Sequence, residues 1–464
     1  MASTNHHVII TDTYQIKYLA IPLAPRLIQF TPWELALLNA QYIQKGLLFA
    51  KPPHLSFEEI FELLKDSLEE TLHHFYPFSG RLKVTCDGET TFVELELVPG
   101  SDGAEIIRAV AERVTVADVA SYYDRDSPEV LKELFPLDGA VSFDGCCKPL
   151  LVVQVTDLSD GVFVGCALNV MVADGTSIWH FWNSWAEIAR AKVAGIEYVL
   201  SRPVVHEKFF FDVFGDPPIK LPISSPTQFI ERLVSPPIRE RLFHFSPESI
   251  ATLKARANQE CAEGTISSFQ ALASVVWRSI TRARHMPPDA QTTFQLAIQN
   301  RSRLQPPLSP YYFGSSIYVT KAVAGVSEIL DHDLGWAALL VNRAIAAHDD
   351  SSIRNKVHEW MADPIILKLS SFNQNAVYIG SGPRFEMYEC DFGWGKPVST
   401  GSGTANKQDG KLSLYPGWEG RGSMDLEVCL FPDAMAELLK DNEFMSAVSE
   451  PVDLEVRLDA CLIK

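Results

Sequence analysis

"LNVMVADGTSIWHFWNSWAEI", residues 168–188, joins the end of an apolar run to an aromatic-rich helix through one sharp turn. Just before it, "PLLVVQVTDL" and "GVFVGCALNV" meet across Asp160-Gly161, a turn dipeptide between apolar segments that reads as a β-hairpin. Asp174-Gly175 ends the extended chain. From 176 onward Ile178, Phe181, Trp182, Trp185 and Ile188 recur at helical spacing and give one apolar face. His180, Asn183, Ser184 and Glu187 fall on the other face, which predicts a solvated His180. Paired strands running into an amphipathic helix specify a mixed α/β layer.

The same kinds of signal continue in both directions. Ser56 and Glu59 form a capping box, with Leu55 and Ile60 at staple spacing. Ile60, Leu63, Leu64, Leu68 and Leu72 then predict a helix as far as "FYPFSGRL" at 75–82. "RLKVTCDGETTFVELEL" reads as a hairpin around Asp87-Gly88. The proline-rich "RPVVHEKFFFDVFGDPPIKLPISSPT" reads as a crossover linker, dividing the chain into 1–201, 202–227 and 228–464. The last part brings helices at "SPESIATLKARA" and "SSFQALASVVWRSITRAR", a strand at "GSMDLEVCLF" and a short helix at "DAMAELLK". Strands and helices in both parts predict two mixed α/β lobes with a seam between them. "STGSGTANKQDGK" is rich in glycine but lacks the Gly-Lys-Ser/Thr of a phosphate loop, and reads as a mobile loop.

A chain of 464 residues exceeds one ordinary core. Hydrophobic residues at 47% and charged residues at 21% give a globular composition. A net charge of −18 with no basic stripe argues against nucleic-acid or anionic-membrane partners. No apolar run reaches membrane-spanning length, and "MASTNHHVIITDTYQ" has no charged leader before an apolar region, so no secretory signal is expected. Eight scattered cysteines without a CxxC predict reduced thiols in a cytoplasmic protein. The sequon Asn300-Arg301-Ser302 is then expected to stay unmodified. His73, His74 and His332 lack partners at metal-ligand spacing, so no metal is expected.

Four separated stretches together resemble the plant BAHD acyltransferases, which move acyl groups from coenzyme A thioesters to alcohols or amines. They are "YPFSGRL" at 76–82, "ADGTSIW" at 173–179, "NRSRLQPPLSPYYFG" at 300–314 and "DFGWG" at 391–395. Their order covers nearly the whole chain, and "TPWELALLNAQYIQKGLLF" at 31–49 points the same way. The resemblance implies the chloramphenicol acetyltransferase-like fold, two similar mixed-sheet lobes with a channel between them. It also implies a monomer acting on small molecules, with acyl-coenzyme A as co-substrate and no permanently bound cofactor.

In that family the central motif is His-x-x-x-Asp-Gly, and its histidine deprotonates the attacking acceptor, a step contributing on the order of 10²–10⁴ in rate. Here Val170 stands four residues before Asp174, and an alkyl group has no lone pair to offer. The resemblance assigns Asp174 a mainly structural role, paired with Arg301 across the seam. It makes Trp394 and Thr31 donors to the developing oxyanion, each worth on the order of 10²–10³. Asp391, Gly393 and Gly395 belong to the stretch that shapes the lobe interface. "DFGWG" also contains a kinase-like Asp-Phe-Gly, but no companion kinase motif accompanies it. Ser267 and Ser268 align with the coenzyme-proximal segment and can offer phosphate or pantetheine donors, although serines also simply cap helices.

Three functions follow from the loss of the base. The first is acyl transfer to an alcohol or amine with help from the substrate or another base. The second is a BAHD-fold lyase acting on an isochorismoyl-glutamate-like substrate in salicylate formation, where the substrate supplies its own base. The third is a non-catalytic member that binds a metabolite or partner.

Overall fold

The computed structural model describes residues 7–17, 25–120, 122–208, 219–225, 228, 230–232, 237–261, 263–368, 370 and 373–462. The strands are β1 (Ile9–Lys17), β2 (Arg26–Gln29), β3 (Ile43–Ala50), β4 (Arg81–Asp87), β5 (Thr90–Leu97), β6 (Asp102–Ala111), β7 (Leu151–Leu158) and β8 (Gly161–Leu168). They continue with β9 (Arg239–Phe245), β10 (Gln291–Gln299), β11 (Ile317–Gly325), β12 (Ala376–Ile379), β13 (Ser399–Gly401), β14 (Lys411–Pro416) and β15 (Met424–Leu430).

Two six-stranded sheets organise the molecule, in the orders β1-β6-β7-β8-β3-β13 and β11-β10-β12-β14-β15-β9, and β2-β5-β4 form a small third sheet. Both large sheets are mixed: β6 and β7 run parallel in the first, and β12 runs parallel to both β10 and β14 in the second. The architecture is the expected α/β fold of two mixed-sheet lobes.

Each large sheet is covered by helices whose apolar faces the sequence encodes. The helix Phe57–His74 starts at the capping box, with Ser56 N–H donating to Glu59 Oε2 at 2.8 Å, and buries Ile60, Leu64, Leu68 and Leu72. The helix Gly175–Ala194 packs against it, and Trp185 Nε1 donates to Ser67 Oγ at 2.9 Å. Phe181, Trp182 and Trp185 are fully buried, each worth roughly 1.5–3 kcal/mol of transfer free energy. Gly195, at φ +64°, closes this helix with the left-handed cap that glycine adopts without strain. The helices Pro247–Glu260, Ser268–Ala283 and Leu334–Ala346 cover the second sheet and supply its core.

The glycine-rich stretch 399–411 corrects the expectation of a mobile loop. Its first residues form β13, which leaves the second half of the sequence and pairs with β3 of the first sheet, Ser399 opposite Leu48 and Gly401 opposite Gly46. An unpaired β3 edge would leave a row of backbone groups unsatisfied, and this strand covers it. Glycine permits the close approach that follows: a Cβ at Gly403 would come within 2.1 Å of Gln44 Oε1. Of the crossover linker, 209–218 and 226–227 lie outside the described residues. The parts on either side touch the lobes through isolated bridges, Val205 to Tyr312 and Leu221 to Thr91.

Among the described residues no helix is long and apolar enough to cross a membrane, and no cluster of His, Cys, Asp or Glu could hold a metal ion. All eight cysteines are free thiols. Asn300 of the sequon is fully buried, with its side-chain oxygen 2.8 Å from His348 Nε2.

Candidate active site

A cavity of about 1880 Å³ is walled by residues from both halves of the sequence, among them Trp33, Val170, Trp179, Arg301, Tyr378 and Lys411. Val170 reaches its wall because β8 stops at Leu168 and the chain turns on Asn169. The Asn169 carbonyl accepts from Val172 N–H at 3.1 Å and Ala173 N–H at 3.2 Å. Its side chain points elsewhere, donating to the Ser142 carbonyl at 2.8 Å and accepting from Met171 N–H at 3.1 Å. With Asn169 committed to the backbone, Val170 is the side chain this turn gives to the cavity.

Four residues on, Asp174 caps the helix Gly175–Ala194 and pairs with Arg301. The guanidinium donates from Nη1 to Oδ2 at 2.6 Å and from Nη2 to Oδ1 at 3.0 Å, with Asp174 fully buried and Arg301 nearly so. Asp174 also accepts from Ser177 N–H at 3.0 Å and Ser316 N–H at 2.9 Å, so both carboxylate oxygens are satisfied. Arg301 Nη2 further donates to Ser177 Oγ at 2.9 Å and the Gly314 carbonyl at 3.0 Å. This network ties residue 174 to residues 301–316 across the seam. Gly175, Thr176 and Arg301 line the cavity, while the Asp174 carboxylate faces into the joint.

The other expected site residues are placed differently. Thr31 is the N-cap of the short helix Pro32–Leu35, and its hydroxyl donates to Glu34 Oε2 at 2.9 Å. A hydroxyl has one proton to give, and this one is spent inside a capping box, so the expected oxyanion donor is redirected. Trp394 is buried with its ring stacked on Phe392 at 5.4 Å and edge-on to Phe49 at 5.7 Å. Its indole N–H has no hydrogen-bond partner among the described residues. Neither Thr31 nor Trp394 is among the residues lining the cavity.

His180 corrects a second expectation. Rather than lying in solvent it is 7% exposed, with Nε2 3.0 Å from the Arg202 carbonyl. Residues after the helix fold back over the face that looked polar in isolation, and burial pushes the imidazole below its usual value. His180 does not line the cavity, and no histidine does among the described residues.

In "DFGWG", Asp391 Oδ1 accepts from Gly393 N–H at 2.8 Å and Gly395 N–H at 3.0 Å, closing a tight turn. Gly393 and Gly395 sit at φ +107° and +123°, and a Cβ on Gly395 would lie 2.5 Å from the Cys461 carbonyl oxygen. Gly395→Ala should therefore destabilise the fold by about 1–3 kcal/mol, read as a lower urea midpoint. An unchanged midpoint would show that the turn adapts. Ser267 caps the helix Ser268–Ala283, with Gln270 N–H donating to its Oγ at 3.3 Å, and lines the cavity. Ser268 begins that helix without lining the cavity.

Sequence reasoning passed over two cavity lysines. Lys45 on β3 donates to Ser402 Oγ at 2.7 Å and Tyr415 Oη at 3.3 Å. Burial pushes its amine down to about 8, against the opposing pull of Glu427. Lys411 on β14 lies with Nζ 4.0 Å from the Tyr378 ring centroid. Burial, and then the Lys45 charge, push it down to about 7. The readable signal was a lysine in each of two apolar strands, and on β14 the two-residue alternation puts Lys411, Ser413 and Tyr415 on one face.

With this geometry in place, comparison with known proteins identifies the family. The transferase family matches residues 8–445. An uncharacterised acetyltransferase of Arabidopsis thaliana is 36% identical over 425 residues, covering 90% of this chain and 94% of that one. The BAHD acyltransferase DCR of Arabidopsis thaliana is 35% identical over 444 residues, covering 91% and 89%. In three dimensions the chain resembles TRI101 of F. graminearum, solved with ethyl coenzyme A. The TM-score is 0.71 at 15% identity, covering 92% of this chain and 99% of that one. The chain belongs to the transferase family and is one of its BAHD acyltransferase members.

Proposed function

We propose that this protein moves an acyl group from an acyl-coenzyme A to an alcohol or amine inside the cavity between its sheets, without a histidine base. On this reading Val170 occupies the position where the family motif carries its histidine. Asp174 and Arg301 hold the seam, and Ser267 faces the coenzyme. The division into lobes 1–201 and 228–464, joined by 202–227, belongs to the same proposal, as do a monomeric state and a cytoplasmic location. The eight free thiols suit a reducing compartment.

The observation that carries this reading is the cavity itself. Both halves of the sequence wall it, Val170 forms part of the wall, and no described lining residue is a histidine. An acceptor that brings its own basic nitrogen needs no imidazole, so amines are the favoured acceptors. The same absence favours a second reading: intramolecular elimination from an isochorismoyl-glutamate-like substrate, where the substrate supplies the base.

Incubation with acetyl-, malonyl- and p-coumaroyl-coenzyme A, with matched amines and alcohols, separates these readings. Acyl transfer predicts coenzyme A release dependent on the acceptor, faster with the amine of each pair. Release that never depends on the acceptor, together with cleavage of isochorismoyl-glutamate, would replace transfer by elimination.

A further inference from the structure

The cavity wall carries more positive charge than the protein around it neutralises. Lys407 sits between two carboxylates, Glu240 at 2.6 Å and Glu427 closer still, and is accounted for by them. Lys45 and Lys411 have no carboxylate within ion-pair distance among the described residues. Among the described residues Lys45 is held only by the Ser402 and Tyr415 hydroxyls, and its Nζ lies 4.6 Å from the centroid of the Tyr415 ring. Lys411 has an aromatic face below it and no hydrogen-bond acceptor among the described residues.

The backbone makes room for this arrangement. A Cβ on Gly380 would come within 2.2 Å of Lys411 Nζ, so the ammonium occupies space that only glycine leaves open. Ser381 and Gly382 continue the same wall, and Ser413 lies on the Lys411 face of β14. Ammonium groups exposed to a cavity and lacking a counter-charge cost desolvation free energy unless a ligand supplies that charge. Other cations on this wall are more open to solvent or paired with carboxylates, but Lys45 and Lys411 are deeply buried in a −18 protein at a cavity that an anion from solution can reach.

We propose that Lys411 and Lys45 form an oxyanion-binding subsite in the cavity that holds a carboxylate or phosphate group of the bound substrate, with the Ser413 hydroxyl as a donor beside them. The proposal rests on the cavity being the substrate site and holds for either reaction considered above. A charge-assisted bond to a buried ammonium is short and strong, and exchanging the anion for a neutral ester forfeits it. The lowered amine values fit positions without a counter-charge, because an arriving anion would favour the charged form of each amine and raise both.

The test uses the whole chain and calorimetric titration with matched probes. 4-Hydroxybenzoate is compared with its methyl ester, malonyl- with acetyl-coenzyme A, and coenzyme A with 3′-dephospho-coenzyme A. A substrate carboxylate at the site predicts that the charged member of one of the first two pairs binds about tenfold more tightly. Lys411→Met removes that preference and leaves the neutral partner unchanged. A preference in the third pair alone, also erased by Lys411→Met, assigns the subsite to the coenzyme phosphate. Equal binding within all three pairs in the wild-type protein overturns the proposal, and that comparison needs no variant to fold. Failure of acyl transfer leaves these binding ratios readable, so the two proposals fail separately.

Discussion

Asp174→Asn is expected to destabilise the protein by about 3–5 kcal/mol, the usual consequence of removing one partner from a buried ion pair. The wild-type carboxylate accepts both Arg301 contacts, at 2.6 and 3.0 Å, and two backbone N–H groups besides. An asparagine presents one oxygen and one NH₂ group, so at least one guanidinium N–H then faces a donor, and a buried positive charge loses its counter-ion. Thermal melting should show a clear drop. The double variant Asp174→Asn/Arg301→Met should recover part of it, because no unpaired charge remains. A melting curve unchanged from wild type, with altered turnover, would instead make Asp174 a participant in the chemistry.

How far the sequence disclosed this pairing depended on what kind of signal each residue carried. Local signals were readable. The capping box at Ser56, the hairpin at Asp160-Gly161 and the period of the helix Gly175–Ala194 each depend on neighbours within a few residues. The Asp174–Arg301 contact spans more than a hundred residues, and only the order of the family motifs suggested it. His180 was misplaced because a helical wheel assumes that the polar face meets water, and here the segment carrying Arg202 covers it. β13 was missed because three small residues carry no alternation, and its pairing with β3 crosses between the halves of the chain. Thr31 shows how a local signal sits beside a family match: its hydroxyl is engaged by a capping box that "TPWE" itself spells out. The lysine pair escaped because its meaning lies in which partners are missing, and a sequence does not display missing partners.

Val170→His is expected to create or raise acyl transfer to simple phenolic or aliphatic alcohols by on the order of 10²–10³. The turn that places residue 170 is held by Asn169, whose side chain and carbonyl both bond to the backbone, so the substitution removes none of the bonds that hold the turn. Residue 170 already lies in the cavity wall, where a new imidazole can reach an acceptor hydroxyl. Two features hold the gain toward the low end of the general-base range. Val170 is only 5% exposed, so the larger ring must displace neighbours. Thr31 directs its hydroxyl proton to Glu34 and lies outside the cavity lining, so no help from it at the carbonyl is counted in the expected gain. For an elimination driven by the substrate's own base the sign reverses, because an imidazole fills ligand space without supplying anything the reaction lacks. Assays of wild type and Val170→His with acyl-coenzyme A donors, and separately with isochorismoyl-glutamate, read both signs. Strong wild-type transfer to an unactivated alcohol, undiminished in Val170→His and in His180→Ala, would mean that the base comes from somewhere other than the motif position.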